Sequence, residues 1–236
     1  MHNKKLNEKL IPDTLTEHAF LSIQQAIVTG AIAPGTKIAE AELARTYGIS
    51  RGPLREAIQR LEGQRLLVRT PHIGARVVSL SQTELIELYE IRASLEGMAC
   101  RLAAQNITQQ EIDELYQVLD AHERDADFQA GLGYYHQDGD DDFHYRIIQA
   151  SRNQMLYKML CDEMYHLIRL YRIQFSNTPN RPPKAFIEHK HILEAIAAGD
   201  GQLAEILMQR HINTAKNNIA QHFIEHKMGQ NKGEVT

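Results

Sequence analysis

The chain of 236 residues contains few cysteines, and this scarcity limits the chemistry it can perform. The two cysteines, Cys100 and Cys161, lie in helical patterns without the spacing of a metal-binding or redox motif. We therefore expect both thiols to be reduced and buried, in a protein of a reducing compartment. Cysteine-based metal or redox chemistry is excluded as the function.

Long apolar segments are also missing. The first dozen residues are polar and contain lysines, without an apolar core of the length found in signal peptides. No later apolar run approaches the roughly 20 residues that a membrane-spanning helix needs. We expect a cytoplasmic protein that has no membrane partner.

Charge is distributed unevenly along the chain. Residues 1–78 hold 11 lysines and arginines against 7 acidic residues, the remaining residues hold 15 against 23, and the whole chain has a formal net charge of −4. A basic module followed by an acidic one suits a protein that binds polyanionic DNA at one end and another partner at the other. We predict one domain at 1–78 and a second at 84–228, with a linker at 79–83 between them and a tail at 229–236.

The stretch YGISRGPLREAIQRL, residues 47–61, predicts a helix, a short turn and a second helix. Gly48 ends the first helix, and Ser50 is a suitable N-cap for the second. The second helix has one apolar face, formed by Leu54, Ala57, Ile58 and Leu61. Arg51 and Arg55 are four residues apart in its first two turns, where guanidinium groups can reach phosphates or guanine in a major groove. Taken alone, the pattern also fits a surface helix that happens to carry arginines.

The neighbouring segments favour DNA binding. Residues 16–30 have the apolar period of a helix, and a Pro34-Gly35 turn follows them. Two short β-prone runs, residues 66–70 and 75–78, flank a turn that contains proline and glycine, which predicts a hairpin. Three helices followed by a hairpin make a winged helix-turn-helix.

After the hairpin the chain shows only amphipathic helical patterns. Two capping boxes, Ser81 to Glu84 and Thr108 to Glu111, begin the first two helices. Further helices are predicted at residues 139–150, 153–175, 183–198 and 200–226. The predicted fold is therefore mainly α, with an N-terminal winged helix-turn-helix and a C-terminal all-α antiparallel bundle of about six helices.

Several polar residues fall on the apolar faces of these helices, and burying them requires partners. Arg92 is in register with leucines, His144, His189 and His211 lie on three other helices, and Asp140 is one turn before His144. A lone buried histidine is more often a packing residue than a ligand, and twelve histidines allow chance alignments. An aspartate and a histidine one turn apart can nevertheless chelate zinc, nickel, manganese or iron.

The N-terminal third resembles the GntR family of bacterial transcription regulators in VTGAIAPGTKI, AELARTYGISRGPLREAIQRLE and PHIGARVV. In that family the start of the second helix and the hairpin tip contact DNA. The resemblance implies DNA contacts by Ser50, Arg51, Gly52, Arg55, His72 and Gly74. Some relatives carry an arginine at the position of Ala41, and Arg45 is a doubtful substitute for it.

The rest of the chain resembles the FCD ligand-sensing domain of the FadR subfamily in IRASLE, DDDFHYRIIQASRN, IEHKHILEAIAAGD and MQRHI. The resemblance implies a divalent metal ion, zinc before nickel, manganese or iron, bound by Asp140, His144, His189 and His211. It also implies that Arg92 receives the carboxylate of an effector and that Asn153 lies near the same cavity. Members that bind acyl-coenzyme A lack the metal, so a long-chain acyl thioester is disfavoured.

The predicted function is sequence-specific transcription regulation by a homodimeric repressor or activator, with a repressor favoured, on a palindromic double-stranded operator. A small carboxylate at the metal site would alter its affinity for DNA. The alternative is a metal-dependent hydrolase or lyase fused to a DNA-binding module. That alternative lacks a convincing general base, because Asp138, Asp141 and Asp142 belong to an acidic run of the kind that is ordinarily solvated. A third possibility, an architectural DNA binder, leaves Arg92 and the histidines unexplained.

Overall fold

The computed structural model describes residues 14–124, 142–174 and 181–231, with the side chains of residues 181, 182 and 222–231 left out of the description. The chain divides into two compact units, Met1–Ser79 and Leu80–Thr236. Each unit has its own set of buried apolar side chains. Within the described residues, no helix combines the length and apolarity needed to cross a membrane.

The N-terminal unit contains three helices and a two-stranded antiparallel sheet. They are α1 (Leu15–Val28), α2 (Glu40–Thr46), α3 (Arg51–Gly63), β1 (Leu67–Thr70) and β2 (Gly74–Val77). Thr14 begins α1 because its side chain accepts a hydrogen bond from the backbone of Glu17. Gly48 lies between α2 and α3 with a φ of 62°, a left-handed conformation that glycine adopts without strain. The predicted winged helix-turn-helix is confirmed.

The core of this unit forms where α3 packs on α1. The predicted apolar face of α3 is buried, as are Ile23 and Ile27 of α1. The sheet pairs Leu67 with Val77 and Thr70 with Gly74, and Leu67 and Val77 are buried. Burying this face fixes α3 in the unit, so its opposite side is left facing solvent.

Every secondary-structure element described in the C-terminal unit is a helix. Its elements are α4 (Gln82–Asn106), α5 (Gln109–Arg124), α6 (Phe143–Ala150), α7 (Gln154–Tyr157), a π-helical segment (Lys158–Glu163), α8 (Tyr165–Gln174), α9 (Arg181–Ala197) and α10 (Gly201–Asn231). Both predicted capping boxes are confirmed. The backbone of Ser81 donates to Glu84 at 2.8 Å, and that of Thr108 donates to Glu111 at 2.9 Å.

Helices α4 and α10 pack closely against each other. A side chain added at Gly97 of α4 would place its Cβ 2.9 Å from Gln209, and one added at Gly201 would lie 2.8 Å from the backbone of Arg101. Both glycines therefore permit an approach that a larger residue would obstruct. This packing brings residues from the two ends of the unit's sequence together.

Two predicted helix boundaries are wrong. The helix expected from residue 139 begins at Phe143, because the carboxylate of Asp142 accepts a hydrogen bond from the backbone of His144 at 2.9 Å and caps α6. The single helix expected over residues 153–175 is three segments. Its middle segment is π-helical and interrupts the α-helical hydrogen-bonding pattern, as single-turn π-bulges inside α-helices do. Leu160 and Cys161 of this segment are both buried.

A candidate histidine centre and a candidate DNA-contacting surface

The predicted DNA-contacting residues of α3 are exposed at its N-terminal end. Arg51, Gly52 and Arg55 all face solvent, on the side of the helix away from the core. Ser50 occupies the N-cap position with extended backbone, but its side chain makes no capping hydrogen bond. A helix N-terminus with exposed backbone N–H groups and nearby guanidinium groups is suited to phosphate contact.

The hairpin turn presents the other two predicted residues. His72 is exposed with a φ of 65°, and Gly74 is half-buried with a φ of 99°. The turn is closed by a hydrogen bond from the backbone of Ile73 to that of Thr70 at 3.1 Å. A left-handed histidine at a turn is uncommon. The turn therefore places His72 at the tip of the hairpin, with its side chain exposed.

Acidic residues that sequence reasoning missed accompany the arginines of this unit. Glu40, the first residue of α2, accepts a contact from Arg55 Nε at 3.5 Å and one from Arg69 at 3.4 Å. Glu62 of α3 accepts from Arg69 Nε at 2.8 Å. Ala41, which follows Glu40 in the sequence, is exposed. These ion pairs link α2, α3 and β1 on the unit's surface.

Three of the four predicted metal-binding residues are brought together in the C-terminal unit. His144 of α6, His189 of α9 and His211 of α10 are buried, and one ligand atom from each lies within 4.8 Å of the others. The Nε2 atoms of His189 and His211 are 3.2 Å apart. The fourth predicted ligand, Asp140, lies outside the described residues.

Two glutamates hold the outer nitrogens of this cluster. Glu96 of α4 lies 2.6 Å from Nδ1 of His144, and Glu188 of α9 lies 2.6 Å from Nδ1 of His211. A carboxylate that accepts from Nδ1–H leaves the lone pair of a neutral imidazole on Nε2. In that tautomer, Nε2 of each ring would be the atom that binds an ion. Phe143 stacks on His189 with ring centroids 4.3 Å apart, which restrains the third ring.

This donor set fits a divalent metal ion. With metal–nitrogen bonds of about 2.0–2.1 Å, two imidazole nitrogens in a tetrahedral site lie roughly 3.3 Å apart. The Nε2 atoms of His189 and His211 are 3.2 Å apart, so their separation matches. Carboxylates that accept from the outer nitrogen of a ligating histidine are the usual second layer of such sites. Sequence reasoning missed Glu96 and Glu188 as partners of these histidines. They lie in IRASLE and IEHKHILEAIAAGD, two of the motifs in which the sequence resembles the FCD domain.

Arg92 is buried, and Glu96 connects it to the histidine cluster. It is 2% exposed, and its Nε donates to Glu96 Oε1 at 2.8 Å. Its guanidinium group lies 4.7 Å from the centre of the Tyr89 ring. Burial raises the pKa of the Glu96 carboxyl, but Arg92 and His144 outweigh this effect and hold the pKa well below its usual range. Glu96 is thus a carboxylate shared by Arg92 and His144.

The sequence suggested that Asp142 is solvated, but it is buried. It is 2% exposed, it pairs with Arg172 of α8, and its carboxylate accepts from the Tyr165 hydroxyl at 3.3 Å. Burial raises its pKa, but Arg172 outweighs burial, so the net pKa is lowered. Asp142 is therefore engaged as a helix cap and ion-pair partner, because these donors replace water around a buried carboxylate. Asp138 and Asp141 lie outside the described residues.

Asn153 lies in a different environment from the histidines. Its side-chain oxygen accepts from the backbones of Met155 at 3.0 Å and Leu156 at 3.1 Å, which caps α7. It lines a polar pocket of about 370 Å³ with residues that include Glu111 and Arg152. Neither Arg92 nor any of the three histidines lines this pocket. A role for Asn153 in effector binding stays a prediction.

The two cysteines are buried, as expected. Burial raises the pKa of the Cys100 thiol well above its ordinary value and also raises that of Cys161. A thiol with a raised pKa is protonated at neutral pH and is a poor nucleophile. The cysteines therefore contribute packing rather than reactivity.

Both units match known families. Residues 15–77 match the family model described as "Bacterial regulatory proteins, gntR family", and residues 87–214 match the model described as "FCD domain". The chain is 39% identical over 125 residues to the Nta operon transcriptional regulator of Aminobacter aminovorans, across 53% of this chain and 58% of that protein. It is 28% identical over 210 residues to a probable D-xylose utilization operon transcriptional repressor of Paenarthrobacter nicotinovorans, across 89% of each chain.

A solved structure supports the fold. The McbR/YncC protein of E. coli superposes with a TM-score of 0.69 at 22% sequence identity, over 89% of this chain and 99% of that one. At this identity the likeness concerns the arrangement of the helices and the hairpin and carries no information on ligands.

Proposed function

Since the chain belongs to the GntR family of bacterial transcription regulators and has a C-terminal FCD domain, we propose that it is a dimeric, metal-dependent sensor of a small carboxylate. In this proposal the protein represses transcription from a palindromic operator, and the carboxylate changes its affinity for that operator. The family consists of regulators, not enzymes, so the hydrolase or lyase alternative is set aside. The observation that carries the proposal is the buried cluster of His144, His189 and His211 beside Arg92.

The N-terminal unit supports contact with DNA by exposed side chains on a fixed helix. Arg51 and Arg55 are solvent-facing, while the other side of α3 is held in the core. His72 at the hairpin tip supplies a second contact, of the kind that a wing makes with the DNA backbone. One such module makes few contacts, so a two-fold dimer on a palindrome supplies the affinity and the specificity that a regulator needs.

The C-terminal unit supports anion binding through residues that are already desolvated. The imidazoles of His144, His189 and His211 would hold a divalent ion, with Asp140 as the proposed fourth ligand. A divalent ion held there would supply a positive centre that attracts a carboxylate oxygen. Arg92 would provide the second cationic contact, and its planar guanidinium group suits a carboxylate. A small anion fits this description better than a long acyl thioester does.

Control of DNA binding requires that the carboxylate distinguish two arrangements of the dimer. A ligand shifts such an equilibrium only by the difference between its affinities for the two states. The cluster joins α6, α9 and α10, and Arg92 extends it to α4 through Glu96. A ligand that contacts both the ion and Arg92 would therefore act on four helices at once, which is a route to a change in quaternary arrangement.

A thermal-shift panel of small mono- and dicarboxylates tests the proposal. The full chain is loaded with Zn²⁺ in one set of samples and treated with a chelator in the other. We expect at least one acid to raise the melting temperature only in the metal-loaded set, and the same acid to change the affinity for operator DNA. Stabilisation that is equal in both sets would contradict a metal-dependent site, and turnover of the acid would contradict a sensor.

A further inference from the structure

We propose that Glu96 is a positioning residue that couples Arg92 to the histidine centre, so that a change at the Arg92 guanidinium group is transmitted to His144. The inference rests on the proposed function, in which the histidines hold a metal ion. It assigns to Glu96 a task that neither Arg92 nor His144 can perform alone. The shared carboxylate makes metal binding and anion binding two parts of one equilibrium.

The geometry of Glu96 carries this inference. Its Oε1 accepts from Arg92 Nε at 2.8 Å, and its Oε2 lies 2.6 Å from Nδ1 of His144. The Glu96 side chain is 3% exposed, so water cannot replace either partner without a change in packing. Because the two oxygens belong to one rigid group, a rotation that improves one hydrogen bond alters the other. Glu96 is therefore a mechanical link between Arg92 on its own helix and His144 on α6.

An anion at Arg92 would bind a guanidinium group that is already paired with Glu96. A guanidinium group has five N–H donors, and the contact with Glu96 uses the one on Nε. A second carboxylate drawn to Arg92 competes with Glu96 for the same positive charge. The competition moves or polarises Glu96, and His144 responds through its Nδ1. By thermodynamic reciprocity, an ion on His144 would change the affinity of Arg92 for the anion by the same factor.

Glu188 provides a matched control within the same cluster. It holds Nδ1 of His211 at 2.6 Å, the same distance that Glu96 keeps from His144. Its side chain is 30% exposed, and it lies on α9, whereas Arg92 and Glu96 lie on α4. Glu188 should therefore orient its histidine without transmitting the state of Arg92.

The test measures Co²⁺ binding to the metal-free full-length chain by chelator competition, and the visible absorption spectrum of the bound ion. The variants are Glu96→Gln, Glu188→Gln and Arg92→Lys, together with Arg92→Lys combined with each glutamine substitution. Arg92→Lys keeps the positive charge but removes the Nε donor, so it separates geometry from simple electrostatics. Far-UV circular dichroism checks that each variant is folded.

We expect Glu96→Gln and Glu188→Gln each to weaken Co²⁺ binding by about 10–100-fold, as losses in the outer layer of a metal site do. Arg92→Lys should weaken binding by about threefold or more and shift the absorption spectrum when Glu96 is present. In the Glu96→Gln chain the same substitution should change affinity by less than about twofold, the margin within which independent sites add. In the Glu188→Gln chain its full effect should persist.

Three results would overturn the inference. One is an Arg92→Lys effect of equal size with and without Glu96, and another is an effect that disappears with Glu188→Gln instead. If Glu96→Gln does not fold, Arg92→Lys decides alone, since an unchanged affinity and spectrum would show that Arg92 does not act on the centre. Failure of the unaltered chain to bind Co²⁺ would overturn the proposed metal site itself, an outcome distinct from loss of coupling.

Discussion

Arg55 in the N-terminal unit and Arg92 in the C-terminal unit each pair with a glutamate, but in opposite surroundings. The Arg55 side chain is 66% exposed and lies 3.5 Å from Glu40, whereas that of Arg92 is 3% exposed and lies 2.8 Å from Glu96. Exposed pairs contribute about 0–1 kcal/mol to stability, because water and salt screen them. A buried pair is costly to break, because one charge is left without a partner.

The difference suits the two tasks that we propose for these arginines. An arginine that must contact DNA needs to leave its intramolecular partner at little cost, and Arg55 meets that condition. An arginine that must hold its position in an interior needs a partner that fixes its geometry, and Glu96 supplies it for Arg92. Exposure at the N-terminal unit thus favours exchange of partners, and burial at the C-terminal unit favours pre-organisation.

The largest effect on stability is expected from Glu96→Ala. Removing this carboxylate leaves Arg92 buried without the charge that balances it, so we expect a loss of about 3–5 kcal/mol in the free energy of unfolding of the C-terminal unit. Urea denaturation followed by circular dichroism measures the change. A loss below about 1 kcal/mol would remove the contrast between the two pairs.

His189→Ala tests the buried side of the comparison through metal content. His189 Nε2 lies 3.2 Å from that of His211, so its removal takes away one of the three converging nitrogens. We expect the purified variant to lose its ion in elemental analysis. His191→Ala is the matched control, because His191 lies on the same helix but is exposed. Full retention of metal by His189→Ala would show that His189 is not a ligand.

Arg51→Ala tests the exposed side through DNA binding. Because Arg51 is exposed, its removal should leave the fold intact while operator binding is lost or weakened by about 1–3 kcal/mol for each contact. Fluorescence anisotropy with labelled operator DNA measures the change. Arg124→Ala, which removes an arginine that is 79% exposed in the C-terminal unit, controls for net charge. Equal affinity of the Arg51 variant and the unaltered chain would place Arg51 outside the interface.

The smallest effect is expected from Glu40→Ala. Its partners Arg55 and Arg69 have side chains that are 66% and 43% exposed, so the free energy of unfolding should fall by no more than about 1 kcal/mol. Thermal denaturation at low and high salt measures the change. A loss as large as that expected for Glu96→Ala would mean that exposure does not separate the two arginine–glutamate pairs.

Local sequence patterns were sufficient wherever a few neighbouring residues decide the structure. Ser81 with Glu84 and Thr108 with Glu111 predicted their helix starts, because a capping box is satisfied within four residues. The pattern failed at Asp142. Its acidic neighbours in sequence suggested solvation, but it is buried with Arg172 and Tyr165, which lie 30 and 23 residues away along the chain.

The sequence by itself determined the amphipathic helices, the turn at Gly48 and the histidines that fall on apolar faces, because spacing along a helix sets which side chains share a face. Tertiary structure alone decided that Glu96 joins Arg92 to His144 and that Glu188 supports His211. Glu96 and His144 lie 48 residues apart along the chain, and Glu188 and His211 lie 23 residues apart, so no local period relates the members of either pair. For Glu96, burial raises the pKa of the carboxyl, and the Arg92 and His144 donors that packing brings to it lower that pKa by more.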